Sequence, residues 1–228
     1  MYSWRVLGSG EIDVDEWGGK AARLNRAAMM QEICVPPALI VQCGDPTDLS
    51  APGLRDVIAL WLLEQAPEAV IVRRSGLSED RLDSAGAGMS ETIPDVQPAT
   101  DDVLLALASL DWSDEGSSLI QKQMVCSKYG VAFSEGEILT VEVSHRRAGT
   151  TEGDPHTYLQ ARGDGTVTID SDRFPTLDLQ GWFHPLWWTC ARLVDEFGQD
   201  VDVEWCFDSP ALYVLQVRPV TRGVVDGI

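Results

Sequence analysis

Asp202, Glu204, Gln216 and Arg218 place two carboxylates, an amide and a guanidinium in two otherwise apolar stretches near the end of the chain. These stretches, Asp202-Val203-Glu204-Trp205-Cys206-Phe207 and Leu212-Tyr213-Val214-Leu215-Gln216-Val217-Arg218-Pro219, read as a strand pair. Alternate residues of a strand share a face, so Gln216 and Arg218 point the same way. A three- or five-residue turn around Asp208-Ser209-Pro210 sets Glu204 opposite Gln216 and Asp202 near Arg218. Oxygen donors beside a guanidinium suit a divalent cation and a phosphate. An exposed strand face with an ordinary ion pair fits the same residues.

Trp17-Gly18-Gly19-Lys20 precedes a segment rich in alanine, leucine and methionine, Ala21 to Met30. Two glycines ahead of a helix let backbone N–H groups approach a phosphate, and a lysine adds a mobile charge. A loop with a solvated lysine is the plainer alternative, and no G-x-x-x-x-G-K-[ST] accompanies it. Arg73 and Arg74 follow the buried run Ala69-Val70-Ile71-Val72, where cations either enter a cleft or simply end a strand. The small-residue stretch Ser84 to Thr92 is either a cover over phosphates or a surface loop.

The elements that must position these groups follow from periodicity. Helices are expected over 21–30, 53–65 (Leu54, Val57, Ile58, Trp61 and Leu62 at helical spacing), 101–110 and 184–197. The last is the clearest amphipath, with Leu186, Cys190, Leu193, Val194 and Phe197 on one stripe and Gly198 ending it. Strands are expected at 38–41, 69–72, 119–125, 130–133 and 138–143, with a hairpin of 157–160 and 166–169 around Gly163-Asp164-Gly165. Asp111 to Gly116 reads as a hinge, dividing an α+β chain into lobes at 1–115 and 116–228.

With 228 residues and 44% hydrophobic content the chain can build a real core. A formal charge of -19, from 36 acidic and 17 basic residues, repels nucleic acid and anionic membranes. No apolar run reaches the ~18 residues of a membrane span, and the expectation is a soluble cytoplasmic protein. Cys34, Cys43, Cys126, Cys190 and Cys206 form no C-x-x-C pair and read as reduced core thiols.

Several pieces resemble, in order, the N-terminal nucleotide-binding region of phosphoenolpyruvate synthase and pyruvate phosphate dikinase, an ATP-grasp fold. They are Gly18-Gly19-Lys20-Ala21 with Val35-Pro36-Pro37, and Val72-Arg73-Arg74-Ser75-Gly76-Leu77-Ser78-Glu79-Asp80 with Ala87 to Thr92. They continue through Gln121-Lys122-Gln123-Met124-Val125 and Gly130-Val131-Ala132-Phe133-Ser134, ending with Val203-Glu204-Trp205 and Leu215-Gln216-Val217-Arg218-Pro219. The resemblance implies two lobes with MgATP in the cleft between them. Lys20 and Arg73 then contact phosphates, Glu204 and Gln216 hold Mg²⁺, and Arg218 meets the terminal phosphates. Adenine lies near residues 121–125, including Gln121, Gln123 and Met124. Lys20, Arg73 and Arg218 are the catalytic set, with Glu204 and Gln216 looking across at Lys20 and Arg73.

The departures shape the functional expectation. Arg74 stands where the family has serine, and a Gly-Leu-Gly-Glu run is absent from Val143 to Pro155, which keeps only a Gly-x-Pro-like remnant. His145, His156 and His184 lack the small-residue Thr-Ser-His context of the family's phosphorylated histidine. The expected function is therefore an ATP-dependent phosphotransferase subunit acting on a histidine of a separate partner protein, or on a small-molecule acceptor. The alternatives are a non-catalytic nucleotide-binding or scaffold subunit, and an ATP-grasp ligase forming an acyl phosphate, for which the sequence locates no carboxylate site.

Overall fold

A computed structural model of the chain describes residues 2–43, 49, 51–77, 92–112, 115–144, 157–170, 179 and 181–220. The expected cover at Ser84 to Glu91, and the segment holding His145 and His156, lie outside the described residues. The chain divides into two units, Met1–Met124 and Val125–Ile228.

In the first unit the apolar run before Arg73 becomes the strand β3 (Val70–Gly76), following β1 (Tyr2–Val6), α1 (Val14–Trp17), α2 (Gly19–Met29), β2 (Ala38–Cys43) and α3 (Pro52–Gln65). After it come β4 (Thr92–Val96), α4 (Thr100–Ser109) and β5 (Gly116–Lys122). The sheet order is β1-β2-β5-β3-β4, antiparallel at every pair. Strand β5, placed in the second lobe by the sequence division at 115, pairs between β2 and β3 at the sheet's centre. The compact boundary therefore falls after Met124.

Strand alternation sorts the faces of this sheet. Leu39, Val41, Val70, Val72 and Ile120 pack against Leu54, Ile58 and Trp61 of α3 and Val103 and Leu107 of α4. Each such fully buried side chain contributes about 1.5–3 kcal/mol. Ile71, Arg73 and Ser75 occupy the opposite face, where the Ser75 hydroxyl accepts from Ala21 N at 3.0 Å and so docks the first turn of α2. Gly18 sits at φ +82°, and a Cβ there would lie 2.2 Å from the Ser75 carbonyl oxygen. Only glycine combines that dihedral with that approach.

The second unit contains β6 (Lys128–Glu135), β7 (Ile138–Ser144), β8 (Thr157–Arg162), β9 (Val167–Asp170), α5 (Phe183–Phe197), β10 (Val201–Asp208) and β11 (Ala211–Pro219). Its antiparallel sheet runs β11-β10-β6-β7-β8-β9. Helix α5 buries Leu186, Cys190 and Leu193 and is closed by Gly198 in the left-handed region at φ 67°. It contacts β10 and β6, whose inward residues are apolar. Trp182, just before α5, stacks on Trp205 with ring centroids 5.1 Å apart. Gly130 has no room for a Cβ, which would meet the Glu142 carbonyl oxygen at 2.1 Å and the Trp205 ring at 2.5 Å. No helix among the described residues is long and apolar enough to cross a membrane.

Candidate functional site

The closing hairpin reaches the expected register by an unexpected route. Asp208 pairs with Ala211, so the turn is only the two residues Ser209 and Pro210. Continued without interruption, that register would set Glu204 opposite Leu215. The ladder instead shifts between Glu204 and Trp205, with Trp205 opposite Val214 and Glu204 opposite Gln216. Leu215 is the extra residue of a β-bulge. The bulge turns Gln216 and Arg218 onto the face of Glu204 and Asp202, while Val217 stays opposite Val203 on the apolar face.

Asp202 pairs with Arg218, whose Nε donates to Asp202 Oδ2 at 2.5 Å. The two side chains differ in exposure, 6% for Asp202 and 46% for Arg218. The carboxylate thus anchors the guanidinium from below through Nε and leaves its outer end toward solvent. Gln216 is buried and Glu204 half-buried. The same face continues across the sheet, because Glu204 and Glu142 both pair with Val131, and Asp202 and Thr140 both pair with Phe133.

This face is electrostatically loaded. Burial pushes the Asp202 carboxyl above the usual carboxylate range, the Arg218 cation and its hydrogen bond pull it back, and the Glu204 charge pushes it up further. Burial, and then the Asp202 charge, also raise Glu142. Concentrated negative charge beside a half-exposed guanidinium is relieved by a bound cation. Among the described residues no three His, Cys, Asp or Glu side chains are grouped to hold a metal by themselves. Glu204 and Gln216 offer a partial oxygen set, which suits Mg²⁺ because that ion keeps waters and takes phosphate oxygens.

In the first unit, Lys20 lies in the first turn of α2, half-buried, and Arg73 is 6% exposed on the β3 face that carries Ser75. Gln121 of β5 pairs with Ile71 on that same face. Its Nε2 is buried without a hydrogen-bond partner, a donor lacking an acceptor. Gln123 is otherwise engaged: its Oε1 accepts from Asp95 N at 2.8 Å, and its Nε2 donates to the Asp95 carboxylate. Met124 is half-buried at the end of the unit. Arg74, on the opposite face from Arg73, donates to the carbonyls of Asp111 and Ser117 and stacks 4.5 Å from the Trp112 ring. It therefore fastens the chain after α4.

Sequence reasoning passed over two features and misread a third. Asn25 is buried and holds the Gly8–Gly10 turn, accepting from Gly8 N and donating to the Gly10 carbonyl, each at 2.8 Å. Glu142 joins the polar face through strand pairing, for which the alternation of β7 was the available signal. The thiols are not all core thiols: Cys34 is exposed, Cys126 is half-buried, and the Cys126 and Cys206 sulfurs lie 2.8 Å apart.

No family model matches the sequence, and no curated protein matches it. Solved structures do match in fold. D-alanine–D-alanine ligase from Helicobacter pylori superposes with a TM-score of 0.51 at 12% identity, covering 86% of this chain and 53% of that one. A macrocyclase from Microcystis aeruginosa, bound with its precursor peptide, gives 0.48 at 13% identity over 88% of this chain and 50% of the other. An ATP-grasp ligase from Chryseobacterium gregarium, in complex with ADP and a leader and core peptide, gives 0.45 at 11% over 86% and 50%. The chain spans about half the length of the structures it matches. The Helicobacter pylori neighbour is a ligase, not phosphoenolpyruvate synthase or pyruvate phosphate dikinase, so the family resemblance drawn from the motifs is overturned. None of these matches shows the phosphohistidine-domain partner that the resemblance implied. The physical reason is that Gly18 serves close packing against Ser75, so that motif position reports the fold. The chain has an ATP-grasp fold, α+β with two antiparallel sheets.

Proposed function

We propose that the chain is the nucleotide-binding part of an ATP-dependent ligase, one that activates a carboxylate as an acyl phosphate for attack by a nucleophile. The observation that carries this reading is the polar face of the second sheet, where the Leu215 bulge brings Gln216 and Arg218 beside Glu204 and Asp202. Glu204 and Gln216 supply oxygen ligands to Mg²⁺, and the outer end of Arg218, steadied by Asp202, contacts the terminal phosphates. Lys20 and Arg73 are assigned to phosphate oxygens, and the orphan Nε2 of Gln121 to an acceptor on the nucleotide. Gln123, held by Asp95, is left with a positioning part. When bound, Mg²⁺ neutralises phosphate charge, which is most of what phosphoryl transfer requires.

The products of ATP turnover test the reaction class. The chain is incubated with γ-labelled ATP, Mg²⁺ and a panel of carboxylates and amines. A ligase releases ADP and phosphate only when a carboxylate is present, together with a condensed product. Release of AMP, or turnover indifferent to carboxylate, contradicts the reading.

A further inference from the structure

Cys126 and Cys206 are 80 residues apart in sequence, yet their Sγ atoms lie 2.8 Å from one another. The contact is framed on both sides. Cys126 N donates to the Tyr129 hydroxyl at 2.7 Å, Ser127 N donates to the Phe207 carbonyl at 3.1 Å, and Tyr129 pairs with Cys206 in the β6–β10 ladder. Cys206 is fully buried and Cys126 half-buried, so one thiol is open to solvent and the other waits behind it. We propose that Cys126 and Cys206 are a reversible modification site, closing to a disulfide when hydrogen peroxide oxidises Cys126.

The chemistry balances. The Cys126 thiolate attacks a peroxide oxygen, the O–O bond breaks, and the departing hydroxide takes up a proton as water, leaving a sulfenic acid. The Cys206 sulfur gives up its proton and attacks the sulfenic sulfur; the S–O bond breaks and a second water leaves. Two thiols lose two electrons, and the peroxide becomes two waters. The hydrogen bond with Cys206 holds the Cys126 thiol below the usual thiol range, against burial and the Asp208 charge. Cys190 is the contrast, pushed up to about 12 by burial and the Asp202 charge, and stays inert. A small dithiol reverses the bond by exchange.

Cys206 lies two positions along β10 from Glu204 and shares its face. The bond is accordingly expected to change MgATP affinity at least ~3-fold, comparable to the loss of a weak contact; this consequence rests on the function proposed above. To test the site, the whole chain is treated with hydrogen peroxide, alkylated, digested and weighed by mass spectrometry. Cys126 and Cys206 should lose alkylation together, yield one linked peptide, and recover with dithiothreitol. Cys206→Ser should leave a sulfenic acid at Cys126 that a cyclic 1,3-dione traps. Cys126→Ser, at the half-exposed position and least able to disturb folding, should leave Cys206 unoxidised. Persistent alkylation of both thiols after peroxide, or pairing of Cys126 with Cys34, overturns the proposal. Calorimetry on oxidised and reduced protein separates the consequence: a formed bond with unchanged affinity overturns the coupling and not the site, while absent binding in both overturns the nucleotide reading.

Discussion

Asp202 shows burial outweighing a neighbouring cation. Its carboxyl is raised despite Arg218, so the folded chain holds that proton to higher pH than the unfolded chain does. In the interval from the ordinary carboxylate value, about 3.9, up to the raised folded value, the native state binds more protons. Stability from this group is present in full below that interval and is lost as pH rises through the folded value. Glu142 has the same sign for the same first cause. Unfolding free energy from urea titrations at stepped pH should fall across this window, and Asp202→Asn with Glu142→Gln should flatten the slope. Arg218→Ala removes the cation and leaves a buried carboxylate. Discounted for the exposure of Arg218, the expected cost near pH 7 is about 1–2 kcal/mol, and it should shrink on acidification. The pairing of these residues was legible in the sequence from strand alternation. The thiol pair was not, because nothing in a sequence separation of 80 residues announces which strand edge Cys126 will meet.

At the scale of elements, two glycines decide how closely neighbouring pieces approach. Gly18→Ala forces a β-carbon against the Ser75 carbonyl at a positive φ, and Gly130→Ala forces one between the Glu142 carbonyl and the Trp205 ring. Each should cost roughly 3 kcal/mol in urea unfolding, the upper part of the overpacking range, because backbone atoms stand in the way. Gly18→Ala should also disturb the docking of α2, and with it Lys20. Helices α2, α3, α4 and α5 were readable from apolar spacing, as were the buried strands. Strand β4 was hidden by Pro94, which suits an edge strand, and α1 is only four residues long. The hairpin register was anticipated, but its mechanism was not: a shorter turn and a bulge at Leu215 compensate one another. Alternation states which residues must share a face and leaves open how the backbone achieves it.

For the whole molecule, a net charge of -19 means that a polyanionic nucleotide is drawn in only by local groups. In the function proposed above, Arg218 on its Asp202 anchor and the oxygen pair Glu204–Gln216 serve as such groups, on a face made by a fold rather than by a family motif. This explains why sequence pieces led to the right fold and the wrong relatives. Glycines and strand residues recur wherever this architecture is built, whereas the groups that choose an acceptor lie in regions the fold leaves free to vary. The most direct test of the account is calorimetric titration of the chain with ATP, with and without Mg²⁺, alongside Glu204→Gln. The account predicts saturable binding that requires Mg²⁺ and weakens at least ~10-fold in the variant, the loss typical of an impaired metal site. Absence of binding, or equal affinity in wild type and variant, would contradict it.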